Sequence, residues 1–552
     1  MSTRSLLISY AGYPFTPSSL MPDNGLANLA GSLLESGHHT MILDYGTVDM
    51  VEKLYPRDLS RKAQKIYRRL FSEGGKKPGA GIKDIAGLKY LDYRLNRFRG
   101  RAVREIASDI INKIEKVRPD FIGFKLWNGD GFTGSVKIAE LIKRSFPGLK
   151  IVAGGPQVDI YGSHIYSVTD VFDALVYAEG EEVLPLFGEY CVGGEYLSRI
   201  PNLIYRIGGR IRKNAVRWIR DPDRLPFPVY SPEIYPAMKG DRKIKIIVVD
   251  ESRGCPNRCA FCIQPIKSGG SLRLKSPERV VKEMKNSILD FGVTSFRYAG
   301  SSTPLKHAVN IADRIIKEGL KVTYSSFGHV GNTSDSAFEV LKKSGCHSIF
   351  FGIESGSEEI LRRGFGKTIT PGMIRETMLS CRKAGIFTVG SMIFPAPFET
   401  EKTEEESFEL LRDIRPDSVP IQFPGIYPRT AWRMNPEKYN LRITAKNYEL
   451  ETMSYKIKLL FPPRYWAPLP YRVNNMKFRE FAAKTTDFGK RLEAEGILTH
   501  ISDDQALMAL HAGYRGRERE FRDRFRYLFA SGDVENIQAL VTTINDSIIQ
   551  DK

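Results

Sequence analysis

Three cysteines, Cys255, Cys259 and Cys262, lie within eight residues near the middle of the 552-residue chain. Thiolates so close on one loop can converge on a soft metal centre, and a cubane iron–sulfur cluster takes thiolates at its iron corners. Three thiolates leave one iron without a protein ligand, and an open corner is a place to bind a substrate. A closed electron-transfer cluster needs a fourth cysteine nearby, whereas the next one, Cys346, is far down the chain. Two other readings stay open on spacing alone: a zinc loop completed by a distant residue, and reduced cysteines that cluster without function. Closed structural zinc wants four ligands, usually in paired half-sites, which this loop lacks.

A strand must deliver such a loop, and the apolar run over 245–250 reads as one. Helical and strand periods then alternate in roughly six βα units with no closing pair, which reads as a partial TIM-type (β/α)6 barrel over 241–435. Barrel sites lie at the C-terminal strand ends. Ahead of it, apolar strands at 5–9, 40–43, 121–124, 151–153 and 174–177 alternate with helical stretches. They read as a doubly wound, Rossmann-like parallel sheet over 1–190, with its ligands at the strand carboxyl ends. A helical insertion at about 51–117 carries a basic cluster and a Gly-rich break at 74–81. It ends in an amphipathic helix with Val103, Ile106, Ile110 and Ile114 on one face. This insertion reads as a hairpin on the domain edge or as a lid. The Pro-, Gly- and Arg-rich stretch 191–240 reads as a linker, and 436–552 as a mainly helical region. Within the latter, Ser502 to Gln505 form a helix-capping box. The aromatic, proline-rich segment 461–471 suits either a wall at the barrel mouth or packing between domains.

The Cys-x3-Cys-x-aromatic-Cys loop resembles the signature of the radical S-adenosylmethionine (SAM) enzymes. That resemblance implies a [4Fe-4S] cluster on Cys255, Cys259 and Cys262, SAM on the open iron, and Phe261 against the adenine. It also implies SAM contacts at later strand ends: Gly300, Ser301 and Ser302, then Glu354 and Ser355, then Gly390 with the segment 394–400. At the first of these the family often has a carboxylate and this chain has none, so serine hydroxyls or backbone carbonyls are expected to do that work. The runs 151–157 (IVAGGPQ) and 178–182 (AEGEE) are similar to the strand-end loops of the cobalamin-binding radical SAM enzymes. This likeness implies cobalamin held by Asn24, Gly25, Trp127, Asn128, Gly154, Gly155, Pro156, Gln157, Glu179 and Gly180. The Asp-x-His-x-x-Gly motif that gives cobalt a histidine in the mutases is absent, and the family's Gly-Gly-Pro-His reads Gly-Gly-Pro-Gln. The lower face of the corrin is therefore expected to lack a histidine, with Trp127 or a neighbouring loop residue over it.

The resemblance further implies methyl transfer to an unactivated carbon of a small-molecule or lipid-like substrate through a 5′-deoxyadenosyl radical. SAM would both supply the methyl group to cobalamin and yield the radical, with electrons from an external one-electron reductant such as flavodoxin or ferredoxin. Cyclisation or another oxidative rearrangement is the alternative with the same cofactors. An RNA-directed or structural metal-binding protein is the alternative of another class. Composition bounds these readings. Hydrophobic residues at 42% and charged residues at 26% are ordinary for a soluble protein, and no apolar run is long enough to cross a membrane. With 82 Lys and Arg against 64 Asp and Glu, the charge of +18 favours anionic partners without choosing among them. A small anionic substrate is expected and nucleic acid is not, because the three N-terminal cysteines of the methylthiotransferase pattern are absent, Cys191 being the only cysteine ahead of the loop. The absence of a signal peptide and a cluster that needs a reducing compartment suggest a cytoplasmic location. Cys346 and Cys381 read as small buried side chains.

Overall fold

Apolar runs without alternation become strands buried on both faces, and four of them, with one half-buried edge strand, make the parallel part of the first sheet. The computed structural model describes residues 2–70, 82–301, 303–331, 333–456 and 463–549. The Gly-rich break at 74–81, Ser302 and the first two residues of the segment 461–471 lie outside these. The first sheet contains β1 (Arg4–Ser9), β2 (His39–Asp44), β3 (Phe121–Lys125), β4 (Lys150–Gly154) and β5 (Ala174–Val176), followed by β6 (Leu203–Ile207) and β7 (Arg210–Lys213). Their order is β2-β1-β3-β4-β5-β6-β7. Strand β1 pairs with β2 on one side and β3 on the other, so the winding reverses there. A crevice opens at the carboxyl ends beside such a reversal. The helix Asn24–Glu35 starts in this crevice because the Asp23 carboxylate accepts the Leu26 amide at 3.1 Å, capping its first turn.

The structure corrects the reading of 191–240 as a linker. Residues 203–213 form the hairpin β6–β7, which adds antiparallel to the edge at β5. Gly208 and Gly209 both have positive φ, 56° and 74°, as a tight hairpin turn demands. The insertion is more than an edge hairpin. Its long helix, Ile82–Val117, buries Val103, Ile106, Ile110 and Ile114 as the crossover from β2 to β3. The preceding helix, Arg57–Leu70, meets the C-terminal region, where Ser60 donates to the Gly532 carbonyl at 3.0 Å.

The second sheet is parallel and open: β8 (Ile247–Val249) lies at one edge, and the ribbon β9 (Ser252–Arg253) with β10 (Arg273–Leu274) flanks the cysteine loop. Then come β11 (Ser295–Tyr298), β12 (Thr323–Gly328), β13 (Cys346–Glu354), β14 (Phe387–Ile393) and β15 (Ile421–Gln422), in the order β15-β14-β13-β12-β11-β8. A six-stranded partial barrel leaves its lumen to be filled from elsewhere. The helix Asp503–His511 does this at the amino-terminal end. Arg297, Ser325 and Ser348 are register partners across three strands, and all three hydrogen-bond Asp503. The remaining C-terminal helices, Phe478–Ala494, Glu518–Ser531 and Val534–Ile548, wrap this end.

Candidate functional site

The cysteine loop runs from β9 to the short helix Gln264–Ser268. Its centre is pinned on both sides by backbone: Ala260 donates to the Phe365 carbonyl at 2.8 Å, and its own carbonyl accepts from the Trp432 amide at 3.1 Å. All three thiols are free; Cys255 is buried and the other two are half-buried. The Gln264 amide donates to the Cys262 sulfur at 3.4 Å. Burial raises the Cys259 thiol and pushes that of Cys262 up to about 11, and the neighbouring cysteines add to both shifts. Thiols that resist ionisation in this setting become thiolates when a cationic centre binds them. Among the described residues no three His, Cys, Asp or Glu side chains converge on a single ion. Phe261 packs its ring against Phe365 and Trp432, at 5.5 and 5.6 Å between centroids.

The strand ends around this loop hold an unexpected carboxylate. Glu251, fully buried, accepts from the Ala299 amide at 3.1 Å, the Gly300 amide at 3.0 Å, and the Thr303 hydroxyl. The residue at 300 must be glycine for this: a Cβ there would sit 2.0 Å from the Glu251 carboxylate. A carboxylate therefore does reach the loop after β11, but from the neighbouring strand, and it orders the backbone beside Ser301. Ser302 lies outside the described residues. At the end of β13, Glu354 is held with φ +62°, a strained conformation for a glutamate, and pairs with Lys367 at 2.9 Å. Lys367 also lowers the Cys259 thiol, which puts this ion pair beside the cysteine loop. Ser355 points elsewhere: its buried hydroxyl meets Ser407 at 3.1 Å and accepts the Ser357 amide at 3.1 Å, a structural turn. Gly390 is buried in the middle of β14, against Ile353, and not at the strand's carboxyl end.

At the carboxyl edge of the first sheet a cavity of about 330 Å³ is lined by Asn24, Gly25, Gly154, Gly155, Pro156 and Gly180, with Glu179 in the wall. Gly155 has φ +91°, and a Cβ there would strike Lys125 at 2.9 Å, so only glycine leaves the space open. A whole corrinoid is larger than this cavity, so these residues fit one end of such a ligand. The far wall belongs to the second module: Asp250 and Arg253 before Cys255, and Lys267 and Ser268 after Cys262. Three of the residues read from sequence, Trp127, Asn128 and Gln157, lie outside the lining, and a fourth, Glu179, lines it with its carboxylate already paired. Trp127 donates to Ser9 at 3.0 Å outside the lining, with Lys125 over its ring at 4.5 Å, and Asn128 is exposed. Gln157 turns away to the Met453 carbonyl at 2.9 Å. Both carboxylate oxygens of Glu179 are taken, by Arg273 at 2.8 Å and the Ile219 amide at 2.7 Å. Sequence reasoning missed Lys125, Asp250, Arg253 and Asp159, which line the cavity, because each faces it only through contacts distant in the chain.

Asp159 carries a pH effect. Burial pushes its carboxyl from 3.8 up to about 6, against the Ala178 amide that donates to it at 2.8 Å. The folded chain then holds this proton more tightly than the unfolded chain. Its contribution is full below about pH 4 and is lost as pH rises through about 6. Asp159→Asn keeps an acceptor for the amide and removes the charge. It is expected to stabilise the protein by about 1–3 kcal/mol at pH 8 and to change little at pH 4, read from urea midpoints.

Comparison with known proteins bears on both modules. The profile described as the Radical SAM superfamily matches residues 252–411, and that described as the B12 binding domain matches residues 85–187. The chain belongs to the cobalamin-binding radical SAM enzymes. A solved structure of the radical SAM methyltransferase TsrM from Kitasatospora setae, with cobalamin and a [4Fe-4S] cluster bound, has a TM-score of 0.64 at 16% identity, covering 95% of this chain and 99% of that one. An uncharacterized methyltransferase of Pyrococcus horikoshii is 28% identical over 64% of this chain and 77% of its own length. The anaerobic magnesium-protoporphyrin IX monomethyl ester cyclase of Cereibacter sphaeroides is 24% identical over 64% of this chain and 58% of its own length. As a member of this family, the enzyme uses a [4Fe-4S] cluster, SAM and cobalamin. No described helix is long and apolar enough to cross a membrane.

Proposed function

We propose that this radical SAM enzyme transfers a methyl group to an unactivated carbon of a small, anionic substrate. One observation carries the reading: the cavity at the edge of the B12-binding sheet and the cysteine loop share a wall, since Asp250, Arg253, Lys267 and Ser268 line the one and flank the other. Substrate bound near that wall would lie within reach of both modules.

In this reading Cys255, Cys259 and Cys262 hold the cluster, and Gly300, Ser301 and Glu354 form the SAM side of the site. Asn24, Gly25, Gly154, Gly155, Pro156 and Gly180 hold one end of the cobalamin. When bound, these groups supply radical generation from SAM and a transferable methyl. The chain itself positions and shields. Glu251 fixes the backbone at Ala299 and Gly300, Lys367 orients Glu354, and the ring packing of Phe261, Phe365 and Trp432 keeps water from one flank of the loop. Electrons come from an external one-electron donor of the flavodoxin or ferredoxin kind. The net charge of +18 supports an anionic substrate.

The cyclase among the relatives motivates a second outcome, oxidative ring closure, with the same machinery. Anaerobic protein reconstituted with iron, sulfide and hydroxocobalamin, then supplied with SAM, reductant and a cell extract, separates the two by product mass. A product heavier by one CH₂ supports methyl transfer; loss of hydrogen without that gain supports cyclisation and overturns the proposal.

A further inference from the structure

The ribbon that carries the cysteine loop has an electrostatic problem. Arg253 in β9 and Arg273 in β10 are direct cross-strand partners, and like charges facing each other destabilise a pair of strands. Arg273 is buried and Arg253 nearly so, and water screens them little. Neutralisation comes from the other module. Glu181 pairs with Arg253 at 2.6 Å, and Glu179 takes Arg273 through both oxygens at 2.8 Å while also reaching Arg253 at 3.4 Å. Asp250 completes the set: it pairs with Arg253 at 2.9 Å and accepts from Asn24 at 2.7 Å and Asn28 at 2.9 Å, on the first helix of the B12-binding module. The same loop, 178–182, forms part of the cavity wall through Ala178 to Glu181.

We propose that Glu179, Glu181 and Asp250, with Arg253 and Arg273, form a latch between the modules, through which cobalamin in the cavity tightens the ribbon carrying the cluster ligands. These are positioning residues and touch no reacting atom. A two-residue ribbon bearing facing arginines is held only as well as the acids opposite it. A ligand that fixes the 178–182 loop therefore fixes the ribbon, and by linkage an ordered cysteine loop favours retention of the corrinoid. The inference rests on the cavity being the cobalamin site.

Hydrogen–deuterium exchange on the full, cluster-reconstituted chain tests it, with hydroxocobalamin as the added probe. In the wild type, backbone amides of the segment 264–275 are expected to exchange at least fivefold more slowly once hydroxocobalamin is bound. In Glu181→Gln and in Arg273→Gln, compared at equal corrinoid occupancy by absorbance, that ligand-dependent slowing is expected to disappear. A purely structural role would speed exchange equally with and without the corrinoid and leave the difference intact, which would overturn the latch. So would a wild type that binds the corrinoid without protecting the segment. No corrinoid binding at all would overturn the reading of the cavity, and the latch with it. Arg273 lies outside the cavity lining, so its variant separates the latch from a direct loss of ligand contacts.

Discussion

Cys259→Ala is expected to lower 5′-deoxyadenosine formation from SAM below detection, a loss of at least a thousandfold, while cobalamin absorbance is largely retained. The side chain is the middle one of three thiols on a loop held by Ala260 to Phe365 and Trp432. No other cysteine can replace it. Cys346 and Cys381 are buried elsewhere in the barrel, and Cys191 belongs to the first module. The loop's fold does not depend on that sulfur, because the hydrogen bonds that set its course come from the backbone. The cobalamin cavity likewise is lined without Cys259. Quantifying 5′-deoxyadenosine by chromatography, beside bound corrinoid by absorbance, checks both halves. Undiminished SAM cleavage in this variant would remove Cys259 from the ligand set.

Asp503→Ala produces the largest expected change in stability. Asp503 is fully buried and receives Arg297 at 2.9 and 3.1 Å and Ser325 at 2.9 Å. Its loss leaves the partly buried Arg297 guanidinium without its hydrogen-bonded counter-charge, with only the more distant Asp504 remaining. Breaking a buried pair from one side costs about 3–5 kcal/mol. The variant is expected to lower the urea midpoint of the barrel by that equivalent, whereas Asp503→Asn, which keeps acceptors for Ser325, is expected to lose less. Equal stability of the Ala variant and the wild type would mean that the C-terminal helix does not close the barrel as described.

The fold was legible wherever local pattern carries the signal. The apolar runs of β1, β3 and β4 are buried on both faces, and their strand periods mark them without help from tertiary contacts. The hairpin β6–β7 was not legible: β7 is exposed throughout, and its Arg-rich composition resembles that of a linker. The cysteine loop was legible because spacing along the chain is itself the constraint on its ligands. Glu251 was overlooked for the opposite reason. Its carboxylate reaches the loop after β11 across the sheet, so no motif within that loop reports it. Glu179, Gln157 and Ser355 stand in motif positions, yet their partners, Arg273, Met453 and Ser407, lie 52 to 296 residues away. Sequence shows which polar groups sit at a strand end, but not which of them another segment has already claimed.

The proposed chemistry depends on three thiolates holding a cube of iron and sulfide with one iron left open to SAM. Electron paramagnetic resonance of the anaerobically reconstituted, reduced protein, recorded before and after SAM is added, tests this most directly. Alongside metal and sulfide analysis giving about four of each per chain, the predicted result is a reduced-cluster signal whose line shape changes on SAM addition. Zinc without sulfide, or a cluster signal indifferent to SAM, would contradict the account.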